Sequence, residues 1–552
     1  LSTNSTRPGP NRMINNPILP GFNPDPSIVR VADDYYIATS TFEWYPGVQI
    51  HHSKDLKNWR LVSRPLNRAG LLDMRGNPDS GGIWAPCLSY SGGLFWLIYT
   101  DVKRLDGNFK DAHNYLTTCE TIDGEWSDPV YMNSSGFDPS LFHDDDGRKW
   151  FVNMVWDHRH LHNRFGGIYL QEYSPAEGRL VGEMKNIFRG SALGLTEAPH
   201  MYRRDGWYYL LTAEGGTVYE HAMTVARSRN IDGPYELDPQ GHLLTAKDNR
   251  HLPLQRCGHG DFVETQNGEH YLVHLTGRPL KGLWRCPLGR ETALQQMEWS
   301  EDGWPRIPGA TGDGLPSLEV PEPNLPEHPW PATPARHDFD DAELPVDFQW
   351  LRSPYPEFFM SLEERPGFLR LKGKESLGSW FEQALVARRQ QAFSDVADTK
   401  LEFDPDNFQQ AAGLVSYYNA HKYHYLDVTV DVQGRRYMDI MSCEGDQSLD
   451  STFPLREGHT EPGILDERFL LPDSGPVWLR AEADGPALDF SWSTDGENWI
   501  RAPITLNQSL ISDEAGKGGG GSFTGAFVGM ACQDISGQDC PADFDYFEYI
   551  EL

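Results

Sequence analysis

Apolar and polar positions alternate in short runs along this chain, with no sustained helical period, which predicts strands throughout. Five runs stand out in the first 300 residues: Tyr35–Ala38, Phe95–Tyr99, Trp150–Met154, Trp207–Leu211 and His270–His274. Each follows a turn dipeptide, namely Asp33-Asp34, Gly92-Gly93, Asp146-Gly147, Asp205-Gly206 and Asn267-Gly268. The last four are strong hairpin signals, because Gly reaches the left-handed backbone that a tight turn needs. Nine residues before the second member of each dipeptide stands a head residue: Asp25, Trp84, Asp138, Glu197 and His259. The heads open similar segments, Asp25-Pro26, Trp84-Ala85-Pro86, Asp138-Pro139, Glu197-Ala198-Pro199 and Gly258-His259-Gly260, at intervals of 59, 54, 59 and 62 residues. Five repeats, each long enough for one four-stranded sheet, predict a five-bladed β-propeller over residues 13–305. Equivalent positions of successive blades converge on the axis, so the five heads are expected at one repeat position facing one pocket.

The pattern changes after Pro305. Nine prolines between Pro305 and Pro334 read as an extended connector over 306–336. From residue 337 to 552 short alternating strands return, including Gly413–Tyr418, Tyr425–Val430, Val477–Ala481 and Ala487–Trp492. This predicts an antiparallel β-sandwich, so the fold class is all-β, a propeller followed by a sandwich. Gly516–Gly521 reads as a flexible loop and lacks the Lys-Ser/Thr ending of a phosphate loop. Residues 1–12 are polar, precede Met13 and read as a leader or tag.

Composition narrows the function. At 552 residues the chain exceeds one hydrophobic core, as two domains require. A net charge of −32 repels nucleic acid, and no apolar run reaches the length of a membrane span. The aromatic share of 12% suits surfaces on which sugars stack. Seven scattered cysteines without metal-site spacing point to free thiols and a cytoplasmic location, with a secreted protein as the alternative. A homo-oligomer is expected.

Three carboxylates at repeat heads give the strongest chemical signal. Hydrolysis of a glycosidic bond needs a proton for the leaving oxygen and an activated water or a nucleophile at the anomeric carbon, which two opposed carboxylates supply. Asp25 and Glu197 come from the first and fourth blades and can face each other, with Asp138 as a like charge beside Glu197. His158, His160 and His162 read as a solvated loop face, and Asp144–Gly147 as a hairpin turn. No metal ligands are assigned and no cofactor is required, with a structural calcium left open. A sugar-binding propeller without catalysis would keep the aromatics but needs no such carboxylates.

The segments G-F-N-P-D-P-S (Gly21–Ser27), S-G-G-I-W-A-P (Ser80–Pro86), S-S-G-F-D-P-S-L-F (Ser134–Phe142), L-T-E-A-P-H (Leu195–His200) and T-A-E-G-G-T (Thr212–Thr217) closely resemble glycoside hydrolase family 43. The resemblance runs from Met13 to the C-terminus and is closest to the β-xylosidase branch with a C-terminal sandwich. It implies an inverting, exo-acting hydrolase releasing D-xylose from xylo-oligosaccharides, with Asp25 as general base, Glu197 as general acid and Asp138 as pKa modulator. It also implies Phe42, Trp84, Thr217 and His259 around the terminal sugar, Arg290 on its hydroxyls, and Phe523 closing the pocket from the sandwich. α-L-Arabinofuranosidase action on arabinoxylan fragments is the alternative, because the two sugars present similar hydroxyls. The acid motif has Ala198 where many relatives carry Gly.

Overall fold

The computed structural model describes residues 12–309, 313–445, 455–456, 459–461, 464–465, 467–515 and 522–552. The leader expected over 1–12 and the Gly516–Gly521 loop therefore lie almost entirely outside the described residues. Five antiparallel sheets form the propeller. Their innermost strands are Ser27–Val31, Gly82–Ser91, Gly136–His143, Glu197–Arg204 and Gln255–Glu264, each paired outward in meander order. The ring is held at its ends by the N-terminal segment. Met13–Asn15 pairs with Glu319–Pro321 of the connector, and the Asn16 side chain bonds the backbone of Leu294 in the fifth blade at 2.7 and 2.8 Å. Among the described residues no helix is long and apolar enough to cross a membrane.

The hairpins between first and second strands follow expectation in two blades. Gly92-Gly93 and Asp205-Gly206 are two-residue turns with both central φ angles positive, the conformation that matches strand twist. In the first blade the turn is Ala32-Asp33, one residue earlier than expected, and Asp34 already pairs with Val31. The third and fifth blades use longer loops: His143 pairs with Lys149, and Glu264 with His270. In the third blade Asp144 closes the loop: its carboxylate accepts from the Asp145 N–H, its carbonyl accepts from the Gly147 N–H, and its own N–H donates to the Arg148 carbonyl.

The C-terminal half is a sandwich of two large sheets. Its core, with Phe348, Leu371, Val386, Leu414, Ile440, Leu479, Trp492, Met530 and Phe544, lies between them. One sheet is buried on both faces. Its outer side, with Tyr417, Tyr425, Phe527 and Ala531, packs against Phe22, Phe42 and Trp44 of the propeller half. Every residue of Gln410–Asn419 and Lys422–Val430 is buried, as expected for strands without a solvent face. This sheet also takes in a propeller segment: Trp44–Tyr45 pairs antiparallel with Gln349–Leu351, and the Trp44 ring stacks on Phe527 at 3.7 Å. The two halves thus share a sheet and a core.

Candidate active site

The five inner strands share a local distortion at their pocket ends. Asp25, Ala85, Asp138, Ala198 and His259 have φ of 56°, 40°, 54°, 52° and 44°, and the pairing register slips at this point in blades two to five. Such bulges re-aim side chains at a strand end. The first four of these residues precede a proline, which disfavours right-handed helical backbone for them. The five left-handed positions correct the expected repeat alignment. Asp25, Asp138 and His259 are equivalent, but their counterparts in blades two and four are Ala85 and Ala198. Trp84 and Glu197 reach the pocket from one residue earlier. At Ala198 the positive φ also accounts for the glycine that the family pattern carries there, since glycine adopts this backbone without steric strain.

Asp25, Trp84, Asp138, Glu197 and His259 nevertheless line one pocket of about 310 Å³, together with Phe42, Thr217, Arg290 and Phe523. Every residue expected in the site is there. Asp25 is the most fully bonded of the three acids. Its Oδ2 accepts from Ser40 Oγ at 2.6 Å, and its Oδ1 lies 3.1 Å from Arg290 Nη1 and 3.4 Å from His259 Nδ1. Ser40 Oγ in turn accepts from the Ala85 N–H at 2.7 Å, tying the first blade to the second. Burial pushes the Asp25 carboxyl up, but the Arg290 guanidinium, His259 and the Ser40 bond together bring it below the usual carboxylate range.

The other two acids shift the opposite way. Burial, then the charge on Asp25, pushes Glu197 up to about 8 against the opposing charges of Arg290 and Lys110. Asp138 is raised well above its ordinary range, by burial first and then by Glu197 and Asp25. At neutral pH the pocket therefore holds an ionised Asp25 and a protonated Glu197. His259 is pushed down to about 4 by burial, partly offset by Asp25, and is neutral.

Aromatic rings close the far wall. Phe42, Trp84 and Phe523 pack with centroids 5.8–6.4 Å apart. Phe523 belongs to the sandwich but is pinned to the propeller: its N–H donates to Ser80 Oγ at 3.0 Å, and its carbonyl accepts from Arg290 Nη2 at 2.8 Å. Behind it, buried Arg256 pairs with Asp513 and Glu514 at 2.8 and 2.9 Å. The Arg256 Nε–H also donates to the Thr217 carbonyl at 2.9 Å, so the same guanidinium spans both halves. A chain truncated after Pro334 is expected to lose at least about 10²-fold in kcat/KM, because Phe523 and an Arg290 partner leave together. A soluble propeller fragment with full activity would contradict this.

Lys110, Trp156, Phe165 and Val218 also line the pocket and escaped the sequence reading, and Phe137 and Leu195, quoted within motifs without a role, line it too. Lys110 Nζ sits 4.6 Å from the Trp156 ring centroid and donates to the Leu105 carbonyl at 2.9 Å. Phe137, one residue before Asp138, shares the backbone position of Trp84 and Glu197, whereas strand ends and loops carry in the others. Glu214 was quoted within a motif without a role. Its fully buried carboxylate accepts from Thr196, Ser191 and Thr224, fixing the backbone just before Glu197. Among the described residues no cluster of three His, Cys, Asp or Glu could hold a metal ion. His162 instead pairs with Asp157 at 3.1 Å, and Asp144 with Arg203 at 3.0 Å.

The family model "Glycosyl hydrolases family 43" matches residues 14–305, and "Beta xylosidase C-terminal Concanavalin A-like domain" matches residues 336–550. The chain is 55% identical to "Xylosidase/arabinosidase 43B" of Humicola insolens, covering 97% of both chains. It is 52% identical to "Beta-xylosidase" of Bacillus subtilis, covering 98% of this chain and 99% of that one. Among solved structures it resembles a xylan beta-1,4-xylosidase from Bacillus halodurans, with 55% identity, a TM-score of 0.91 and coverage of 98% and 100%. Two matched domains, one pocket holding three carboxyl groups, and full-length relatives place this chain in glycoside hydrolase family 43.

Proposed function

We propose that this protein is an inverting, exo-acting β-1,4-xylosidase that removes D-xylose from the non-reducing ends of xylo-oligosaccharides. The observation that carries the reading is the contrast between two acids lining one pocket: Asp25 is held by Arg290, Ser40 and His259, whereas Glu197 is buried near the charge of Asp25. In this mechanism Asp25 takes a proton from water as that water attacks the anomeric carbon. Glu197 protonates the leaving oxygen as the glycosidic bond breaks, and Asp138 orients Glu197 and adjusts its acidity. Phe42, Trp84, Thr217, His259 and Phe523 enclose the terminal sugar, and Arg290 both holds Asp25 and donates to sugar hydroxyls. Its place in the pocket lining supports that role.

A one-step displacement inverts the anomeric centre. Proton NMR during the first minutes of hydrolysis of a β-xyloside is expected to show α-xylose first, with β-xylose arriving later by mutarotation. Initial release of β-xylose would require a covalent intermediate and overturn the roles of Asp25 and Asp138.

A second reading, α-L-arabinofuranosidase activity in the same pocket, is favoured by the relative named xylosidase/arabinosidase. Comparison of kcat/KM on aryl β-D-xylopyranoside and aryl α-L-arabinofuranoside separates the two: a higher value on the arabinoside makes arabinose the primary substrate. The proposed reaction uses no metal or other cofactor, so dialysis against a chelator is expected to leave kcat unchanged. We also propose a cytoplasmic homo-oligomer, in line with seven free thiols, six of them buried. A solution mass equal to the single 62.5 kDa chain would remove the oligomer, and recovery of the protein from the medium would remove the location.

A further inference from the structure

A second pocket, of about 260 Å³, lies where the first blade, the connector and the sandwich meet. Its polar lining includes His51, Arg60, Arg64, Arg388 and Arg389, against a single carboxylate, Asp347. In a chain of net charge −32, four arginines against one carboxylate make an unusual local excess of positive charge. Asp347 cannot balance it. Its Oδ2 lies 3.7 Å from Arg388 Nη1 and is shared with His337 Nε2 at 3.2 Å.

The donors of this pocket are also incompletely used. Arg389 is 6% exposed, and two of its nitrogens are committed: Nε donates to the Phe22 carbonyl at 2.5 Å and Nη1 to Gln349 Oε1 at 2.6 Å. Among the described residues its Nη2 is buried with no protein partner, as are Arg388 Nε and His51 Nδ1. Buried donors of this kind are ordinarily satisfied, and a buried guanidinium without a counter-charge is costly. Arg64 spends its donors on neutral acceptors, Gln49 Oε1 and the carbonyls of Val346 and Phe348, so it contributes charge without cancelling any. Burial, followed by repulsion from Arg64, pushes Arg389 well below the usual guanidinium range, and His51 is driven down to about 3 and stays neutral. An anion in the pocket would reverse the penalty on the arginines.

We propose that this seam pocket binds a small oxyanion carrying two negative charges, namely inorganic phosphate or the phosphate group of a small phosphorylated sugar. Guanidinium forks match the geometry of phosphate oxygens, and two negative charges suit a cavity whose arginines outnumber its carboxylate. The site is separate from the catalytic pocket; the two lining sets have no residue in common.

The test is isothermal titration of the whole chain in phosphate-free buffer, with inorganic phosphate, a pentose 5-phosphate and the unphosphorylated pentose as probes. One phosphate per chain is expected to bind, and 10 mM phosphate is expected to raise Tm by about 3 °C relative to chloride at equal ionic strength. Tighter binding of the pentose phosphate would name the organic ester as the occupant, and equal binding would name phosphate itself. Arg389→Met is expected to weaken binding at least tenfold. Arg388→Gln, at the less buried side of the pocket, gives the same readout should Arg389→Met fail to fold. Absence of phosphate binding overturns the proposal. So does binding unchanged in a folded Arg388→Gln or Arg389→Met chain, or phosphate displaced by saturating xylose, which would place it in the catalytic pocket.

Discussion

Asp25→Ala is expected to slow hydrolysis by about 10³–10⁴-fold, and by the same factor whether the leaving group is dinitrophenolate or xylose. Water activation is needed for every substrate, so the loss cannot depend on how easily the other side of the bond breaks. The environment of Asp25 makes the effect specific to its charge. Arg290, His259 and Ser40 all favour the ionised carboxylate, and no other acid in the pocket is held ionised this way. Azide gives a readout that a merely structural role would not produce. In the space vacated by the carboxylate it can attack the anomeric carbon directly, needing no base, and leave as α-xylosyl azide. Partial rescue with that product is expected. A several-fold loss without rescue would reduce Asp25 to a structural residue.

Glu197→Gln separates the two halves of the reaction. Cleavage of xylobiose is expected to fall by about 10²–10⁴-fold, whereas a dinitrophenyl xyloside, whose leaving group needs no proton, loses less than about tenfold. Equal losses on both substrates would remove Glu197 from the acid role. The pH dependence follows from the same residues. Asp25 must be ionised, and its carboxyl lies below the usual range, so the acidic limb of kcat/KM for xylobiose falls only at low pH. Glu197 must be protonated, so activity declines as pH rises through about 8. In Glu197→Gln acting on the dinitrophenyl substrate that alkaline decline is expected to disappear while the acidic one remains, because Asp25 is untouched.

The site shows how far linear reading reaches. The carboxylates could be found because each is tied to a local rule: a proline directly after the carboxylate or one residue further on, then a turn at fixed spacing. The one-residue offset of Trp84 and Glu197 was present in the same segments, since aligning on the prolines gives Asp25, Ala85, Asp138 and Ala198. Chemistry-bearing side chains drew the alignment away from the backbone. Lys110, Trp156 and Phe165 offered no such mark. Their place in the pocket depends on where strand ends and loops pass, and many exposed strand ends carry the same residue types.

What the sequence determined by itself is what short-range physics controls. Alternation with period two makes strands, Gly and Asp-Gly pairs turn them, and near-equal repeat lengths arrange five sheets in a ring. The tertiary structure alone decided the contacts between residues hundreds of positions apart. It inserted Trp44–Tyr45 into the sandwich sheet beside Gln349–Leu351, brought Phe523 to Ser80 and Arg290, and gathered Arg64, Arg388 and Arg389 at one seam. The reason is that a strand's pattern states how many of its faces are buried but not against what. The strands Gln410–Asn419 and Lys422–Val430 are buried on both faces, and only packing the two halves together reveals that the second face belongs to the propeller and to the wall of its active site.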